Sequence, residues 1–253
     1  MNRNRRRRKS TSAAVYVSVA ALAIVFLSIF GISTFMRVMY IEVTGASIYT
    51  DDEIVLASGI SPGSNLLFLN AGAAAQRISG AMPYISEIKI SRVMPAAVRI
   101  EVTESLALAA ISYQGGILVI DSGGRILQRT DTVPSGLIEI RGFIPVDPET
   151  GSVLKTELGG EMRLRHLTDI LEAMEKTGIY NDVSYIDVES IANISFGYAG
   201  RFKVILGSSS SALHKLSRLP GSIDTIDETR SPDETGVIDM SDPSGEWRFT
   251  PDR

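Results

Sequence analysis

The sequence predicts a single N-terminal transmembrane helix followed by an α+β body of two domains. An uncharged, apolar run covers residues 13–36. Residues 37–105 then show apolar periodicities in the order strand, helix, helix, strand, strand, and residues 106–250 show mostly short strands with two helices. With 253 residues and 44% apolar content, the chain can bury one or two ordinary cores.

Charge is distributed unevenly along the chain. Six of the 25 basic residues lie in the first nine positions, ahead of any acid, so we interpret residues 1–12 as a basic tail. The remaining 19 Lys and Arg stand against 29 Asp and Glu, which leaves a net charge of −10 on the rest of the chain. Such a body is poorly suited to binding a nucleic-acid backbone. A nuclear-localisation role for RRRRK is also disfavoured, because the motif lies against an apolar span.

The apolar run AAVYVSVAALAIVFLSIFGISTFM at 13–36 has the length of a membrane anchor. At about 1.5 Å per residue it would form a helix of roughly 36 Å, which is enough to cross the hydrocarbon core. A signal peptide has a shorter apolar region followed by a small-residue cleavage motif, so we favour an uncleaved anchor. The positive-inside bias then places the basic tail in the cytoplasm and the body outside the cell membrane. The run has no ionisable residue, which argues against transport or a proton relay.

Residues 37–105 carry start and stop signals for each element. The segment RVMYIEVTG alternates apolar and polar positions and ends at a glycine, as a strand does. Thr50 and Glu53 have the spacing of a capping box for a short helix, which Gly59 can end. Asn70 can cap a second helix, and that helix must stop before Pro83.

Residues 85–104, ISEIKISRVMPAAVRIEVTE, predict two strands joined through Met94-Pro95-Ala96. A register in which paired residue numbers sum to 190 places Lys89 opposite Glu101 on a solvated face and Ile90 opposite Ile100 on a buried face. Arg92 falls on the apolar side of this hairpin. Either the strand frays or bulges there, or Arg92 makes a specific contact.

From about residue 106 the pattern changes to short strands and turns. The segment LALAAISYQGGILVIDSGGRILQRTD predicts three strands with turns at Gly115-Gly116 and Ser122-Gly123-Gly124, and SGLIEIRGF continues the sheet. Leu164, Leu167, Leu171 and Met174 have helical spacing in GEMRLRHLTDILEAMEKTGIY. The segments VSYIDVES and NISFGYAGRFKVILGS predict further strands.

The last fifty residues predict one more helix, an acidic loop and a short strand. Ser208 to Ser211 precede ALHKLSRL, whose Leu213, Leu216 and Leu219 share a face, so we interpret the serines as a helix cap. The tail SIDTIDETRSPDETGVIDM predicts an acidic loop followed by a strand at Gly236 to Met240.

No catalytic, cofactor-binding or metal-binding constellation is evident. The chain has no cysteine, which excludes disulfides, thiolate catalysis and Cys-ligated zinc. His166 and His214 lack zinc-site spacing, and no Gly-x-Ser-x-Gly, Walker or Gly-x-Gly-x-x-Gly motif occurs. Ser208 to Ser211 with His214 lack an orienting acid. Acid pairs such as Asp51-Asp52 or Asp187/Glu189 could be glycosidase carboxylates, but few aromatic residues are available for a sugar cleft. We therefore expect a non-enzyme that binds other proteins, for example through a sheet edge.

The ordered combination of these features resembles the FtsQ/DivIB family of bacterial cell-division proteins. An N-terminal anchor followed by IEVTG, DDEIVLASGISPGSNLLFLN and SRVMPAAVRIEVTES resembles the FtsQ-type POTRA domain, with Arg92, Pro95 and Glu104 as its signature. Ile120, Asp121 and Gly124 resemble the start of the family's second domain. The resemblance implies a POTRA domain at 37–105, a larger β-domain at 106–250 and a tail end at 251–253.

The same resemblance implies what the protein does. Family members are single-pass divisome proteins that bind FtsB/DivIC-like and FtsL-like partners at the septum and help control septal peptidoglycan synthesis. Other divisome proteins are expected to contact the POTRA domain and the anchor. On this resemblance, the pairing edge for the partner and its possible aromatic anchors are Gly236, Val237, Ile238, Asp239, Met240, Trp247 and Phe249. The alternatives are a POTRA-type membrane-anchored chaperone, which would need several repeats or a barrel, and a cell-wall hydrolase.

Overall fold

The structure is a computed structural model that describes residues 11–231, 233–242 and 246–252. Residues 1–10 of the predicted basic tail and Arg253 of the predicted tail end lie outside these ranges. The chain divides into two compact units, Met1–Ala81 with Glu87–Thr103 and Met82–Ser86 with Glu104–Arg253.

The first helix, α1, covers Thr11–Phe35 and coincides closely with the predicted apolar run. The side chains at residues 15–28 are all exposed. In the part of the chain that the structure describes, no helix is long and apolar enough to qualify as a membrane span.

The rest of the first unit has the predicted order of strand, helix, helix, strand, strand. Its three strands form one sheet in the order β1-β3-β2, in which β1 runs parallel to β3. The elements are β1 (Tyr40–Thr44), α2 (Asp51–Ser58), α3 (Ala71–Ala81), β2 (Ile85–Val93) and β3 (Ala97–Glu104).

The helices α2 and α3 begin at the predicted caps. Thr50 N–H donates to Glu53 Oε2 at 2.8 Å, and Glu53 N–H donates to Thr50 Oγ1 at 3.3 Å, which completes the capping box. Gly59 ends α2 with a left-handed φ of 65°. Asn70 Oδ1 accepts the N–H of Ala73 at 3.0 Å at the start of α3. These bonds satisfy backbone donors that a helix leaves free in its first turn.

The hairpin of β2 and β3 has the predicted connection and charge pairing. Pro95 lies in the three-residue link, where the Met94–Pro95 peptide bond is cis. Lys89 Nζ lies 2.9 Å from Glu101 Oε2 on the exposed face. Arg92 makes a specific contact, because its Nη2 donates to the main-chain oxygen of Leu69 at 2.7 Å. Of the two predictions for Arg92, the specific contact is therefore confirmed.

The second unit contains a nine-stranded mixed sheet in the order β12-β11-β10-β9-β8-β7-β4-β5-β6. The pairs β4/β7, β7/β8 and β10/β11 are parallel, and the other neighbours are antiparallel. The strands are β4 (Ala109–Tyr113), β5 (Gly116–Ile120), β6 (Ile126–Thr130), β7 (Ile138–Arg141), β8 (Val183–Asp187), β9 (Ile194–Tyr198), β10 (Phe202–Gly207), β11 (Gly236–Asp239) and β12 (Arg248–Pro251).

Two helices pack against each other in this unit and contribute to one apolar core with the strands. The helix α4 covers Glu161–Thr177, and its stripe of Leu167, Leu171 and Met174 is fully buried. A short 3-10 helix, Ile179–Asp182, follows it. The helix α5 covers Ala212–Thr229 and contains Pro220.

Three local predictions were wrong. The turn between β4 and β5 is Gln114-Gly115, with φ values of 46° and 76°, and Gly116 is already in the strand. Leu213 is 51% exposed, whereas Ala212, Leu216 and Leu219 are buried. The predicted acidic loop is largely helical, because α5 continues through Pro220 to Thr229. Proline removes one helical hydrogen bond, but buried Ile223 extends the apolar stripe beyond it.

Candidate partner-binding edge

The strand β11 lies inside the sheet. Ile238 pairs with Val204 of β10 on one side and with Phe249 of β12 on the other. The prediction that the edge is formed by Gly236, Val237, Ile238, Asp239 and Met240 is therefore wrong about their position. The physical reason is that β12 pairs with the outer side of β11. The side chains of Ile238 and Met240 are also buried in the core, at 2% and 0% exposed. Their role in binding a partner stays a prediction.

The edge of the sheet at this end is β12. Asp252 N–H donates to Thr235 O at 3.0 Å, and Thr250 pairs with Val237. Main-chain groups alternate in direction along an antiparallel strand. The N–H and C=O of Thr250 therefore point to β11, and those of Phe249 point away from it. Within the described residues no strand covers this outer side, so β12 offers unpaired main-chain groups to a further strand.

Aromatic side chains hold β12 against its own unit. The ring of Phe249 meets that of Phe202 edge-on, with centroids 6.0 Å apart, and the Arg230 guanidinium lies 5.2 Å from the Phe249 centroid. Arg218 lies 5.4 Å from the centroid of the Trp247 ring. Both aromatic residues are half-buried and pack against the core. These rings therefore hold the edge strand on its own unit. Direct anchoring of a partner by Trp247 and Phe249 stays a prediction.

The entry to β11 is fixed by Arg201. Its Nη2 lies 2.7 Å from Asp227 Oδ1 and its Nη1 lies 3.2 Å from Asp227 Oδ2, and it also donates to Glu234 O. The hydrogen bond from Arg201 lowers the pKa of Asp227. The Arg201 guanidinium therefore connects Asp227 of α5 to the main chain of Glu234, two residues before β11 begins.

Gly236 permits the close approach of β12. A Cβ at this position would lie 2.4 Å from Thr250 O and 2.7 Å from the Phe249 ring. Any larger residue would push the edge strand away, so glycine is required by space here.

A polar cavity of about 330 Å³ lies beside the start of β12. Its lining includes Asp239, Asp242 and Glu246, together with Arg248. Hydrogen bonds from Ser241 lower the pKa of Asp239, which keeps its carboxylate charged. Among the residues that the structure describes, no group of three or more His, Asp or Glu is placed to hold a metal ion.

The serine segment before α5 has a structural role that differs from the predicted cap. Ser211 makes no side-chain cap bond. Ser209, which is 8% exposed, donates from Oγ to Asp169 Oδ2 at 3.0 Å and lies 2.6 Å from His166 Nδ1. The hydroxyl proton is directed to the carboxylate, and His166 does not lie between Ser209 and Asp169 as the base of a catalytic triad does. This cluster joins α4 to the loop before α5, while His214 is exposed.

The edge strand itself was missed by the sequence analysis. Residues 246–251, EWRFTP, alternate between exposed and half-buried side chains, with Trp247, Phe249 and Pro251 on the inner side. This period of two is a strand signal. It was visible in the sequence, but the segment is only six residues long.

The fold of the first unit defines a class of domain. Residues 36–105 match the family model of the FtsQ-type POTRA domain. This range contains all five elements of the β-α-α-β-β order, together with Arg92, Pro95 and Glu104 of the predicted signature.

Two proteins are similar to this chain over longer stretches of sequence. The chain is 24% identical over 208 residues to the cell division protein DivIB of Clostridium tetani, covering 82% of this chain and 77% of that protein. It is 31% identical over 132 residues to the cell division protein FtsQ of Corynebacterium glutamicum, covering 51% of this chain and 59% of that protein. The solved major extracytoplasmic domain of DivIB from Geobacillus stearothermophilus is similar at 14% identity and a TM-score of 0.33, covering 51% of this chain and 99% of that one.

The family model and the two sequence relatives confirm the resemblance to the FtsQ/DivIB family that the sequence predicted. They also agree with a non-catalytic cell-division protein rather than an enzyme.

Proposed function

We propose that this protein is a non-catalytic, single-pass membrane scaffold of the bacterial divisome. It binds an FtsB/DivIC-like partner through the β12 edge, assembles with an FtsL-like protein, and helps control septal peptidoglycan synthesis and septum formation. The division role is supported by relatives that are named cell division proteins. The partner site is supported by one observation in particular, the uncovered outer side of β12.

An extended segment of the partner fits this edge because it can satisfy the outward main-chain groups of β12. Strand addition gains affinity from backbone hydrogen bonds and specificity from alternate side chains. The edge is short, at four residues, and Pro251 lacks an N–H. The outward N–H of Phe249 is therefore the main-chain donor of β12 that can bond to an added strand.

The aromatic contacts of β12 prepare it for this role. Phe249 and Trp247 are held on the inner side by Phe202, Arg230 and Arg218. An edge that is already ordered loses less conformational entropy when a partner binds than a disordered segment would.

The anchor in this proposal is α1. Its 25 residues include no charged side chain, and at about 1.5 Å per residue they extend roughly 37 Å. The basic tail would remain in the cytoplasm and the chain from residue 37 onwards would lie outside, on the side of the membrane where the septal wall is made.

Two substitutions at Phe249 distinguish the contribution of its ring from that of its main-chain N–H. Phe249→Ala removes the ring and keeps the outward N–H, whereas Phe249→Pro removes both. We expect Phe249→Pro to bind the FtsB/DivIC-like partner at least tenfold more weakly than Phe249→Ala in a titration with the full-length proteins in detergent.

The matched control is Arg129→Ala against Arg129→Pro on β6, the edge strand at the opposite end of the sheet, where the N–H of Arg129 points away from β5. This pair is expected to leave partner affinity unchanged. Circular dichroism and thermal unfolding would show whether each variant is folded. Equal affinities of folded Phe249→Ala and Phe249→Pro would contradict pairing at β12.

Truncation after Asp242 provides a second test, since it removes β12 and keeps β11. We expect it to abolish partner binding. Full affinity of the truncated protein in a pull-down would overturn the proposed site. Removing residues 236–253 is a less specific change, because it also removes buried Ile238 and Met240.

A further inference from the structure

The chain that leaves α1 is joined at once to two loops of the first unit. Met36 O accepts the N–H of Leu66 at 2.8 Å, and Val38 N–H donates to Ser64 O at 2.8 Å. Ala96 O accepts the N–H of Met39 at 2.7 Å. No flexible linker therefore separates α1 from the folded domain.

Four large apolar side chains are exposed in these three segments. Met39 and Tyr40 are 63% and 68% exposed, Phe68 is 79% exposed, and Met94 is 55% exposed. Phe68 lies between Leu66, which is bonded to Met36, and Leu69, whose oxygen accepts from Arg92. We call these four side chains the α1-proximal patch.

The three segments that carry the patch contain charges of one sign, and the first acid after Tyr40, Glu42, lies on the same exposed face of β1 as Tyr40. Residues 36–40, 62–69 and 92–96 contain Arg37 and Arg92, both exposed, and no acid. This differs from the body as a whole, in which acids outnumber bases. The open face of the same sheet is charge-balanced, with Arg99 Nε 3.0 Å from Glu42 Oε2 and Lys89 paired with Glu101.

We propose that the α1-proximal patch lies in the headgroup layer of the membrane that α1 anchors, so that lipid orients the POTRA domain. This inference rests on the proposed function in one respect, namely that α1 spans the membrane. α1 ends at Phe35, and four residues of chain reach at most about 14 Å, so Met39 must lie near the membrane surface.

The chemistry of the patch fits a lipid surface. Tyrosine and apolar side chains favour the boundary between headgroups and acyl chains, and arginine is attracted to lipid phosphate. A protein partner would also cover such a patch, but the absence of a linker brings the membrane to it in every copy of the protein.

The chain has no cysteine, so single cysteines can be labelled without altering any native thiol. Four full-length variants are informative: Phe68→Cys and Met94→Cys in the patch, Leu22→Cys within α1, and Ile48→Cys as the matched control. Ile48 is 53% exposed and follows the other end of β1 from Tyr40. Each would carry an environment-sensitive fluorophore and be reconstituted in vesicles of phosphatidylcholine and phosphatidylglycerol containing lipids with a doxyl quencher at acyl carbon 5 or 12.

We expect the shallow quencher to reduce emission at least twofold at positions 68 and 94, with little change at position 48. The deep quencher should act on position 22. Quenching at position 22 without quenching at positions 68 and 94 would contradict the membrane contact of the patch and would still support α1 as the anchor. No quenching at 22 would overturn the anchor and, with it, this inference. Equal quenching at 48, 68 and 94 would also contradict it, because the contact would then not be specific to the patch.

Discussion

Thr50 and Glu53 satisfy each other at the start of α2, through main-chain and side-chain bonds of 2.8 to 3.3 Å. Thr50→Ala removes the acceptor for the N–H of Glu53. We expect the free energy of unfolding of the first unit to fall by about 1 kcal/mol, as is typical when an N-cap is lost. Urea denaturation, followed by amide exchange in α2, would measure the change.

The capping box is reciprocal, so its two members should not act independently. Thr50→Ala combined with Glu53→Gln is expected to cost less than the sum of the single changes. Strict additivity would show that the two side chains do not act as one unit.

Asp227 provides a pH-dependent contribution at the residue scale. Its pKa lies below its ordinary value of 3.8, mainly because Arg201 donates a hydrogen bond to it. A group whose pKa is lowered on folding stabilises the fold at pH values above its ordinary pKa. This contribution disappears as the pH falls through the lowered pKa. We therefore expect Asp227→Asn to be less stable than the native protein at pH 7, with the difference narrowing below pH 3.8.

Urea midpoints measured from pH 7 down to the acid limit of solubility would test this. Glu228→Gln is the matched control, because Glu228 is a neighbouring exposed acid on the same helix. A difference for Asp227→Asn that stayed constant with pH would indicate a steric effect instead of a lost ion pair.

At the scale of elements, the hairpin of β2 and β3 depends on register. Lys89 and Glu101 lie 2.9 Å apart across the strands, and hydrogen bonding from Lys89 lowers the pKa of Glu101. Glu101→Lys would place two like charges opposite each other, which destabilises a strand pair. Adding Lys89→Glu restores an opposite pair, so the thermal midpoint should fall in the single variant and recover in the double variant.

A charge reversal at Glu87, on the same strand as Lys89, provides a control. Glu87 is exposed on β2 and is two residues from Lys89, so Glu87→Lys changes the net charge by the same amount as Glu101→Lys. If Lys89→Glu rescued both variants equally, the effect would come from overall charge instead of the cross-strand pair.

At the scale of the whole molecule, the chain passes into the second compact unit after Thr103, and Met82–Ser86 also belong to that unit. The first unit has its own buried residues, including Ile54, Leu66, Ile78 and Ile100. We expect a fragment of residues 37–105 to fold alone, because this core and its three-stranded sheet are complete within it. Well-dispersed amide NMR signals and a cooperative thermal transition would support this.

A fragment that gave only disordered spectra would show that the POTRA unit needs the rest of the chain. The fragment 106–252 provides the corresponding test for the nine-stranded sheet.

Much of the fold could be predicted because its signals are local. The capping box, the stop before Pro83, the hairpin register and the stripe of α4 each depend on residues close in sequence. Predictions failed where a distant contact overrides a local signal. The predicted acidic loop is helical as far as Thr229, because buried Ile223 continues the apolar face of α5 beyond Pro220.

The sequence by itself determined the order of elements in the first unit, the pairing of Lys89 with Glu101, and the resemblance to FtsQ and DivIB. Only the tertiary structure decided which strand is the edge, because that depends on how strands far apart in sequence pair. β11 was predicted as the edge strand, yet β10 and β12 pair with it on both sides. The contact that Arg92 makes was likewise decided only by the tertiary structure, since Leu69 lies 23 residues away in sequence.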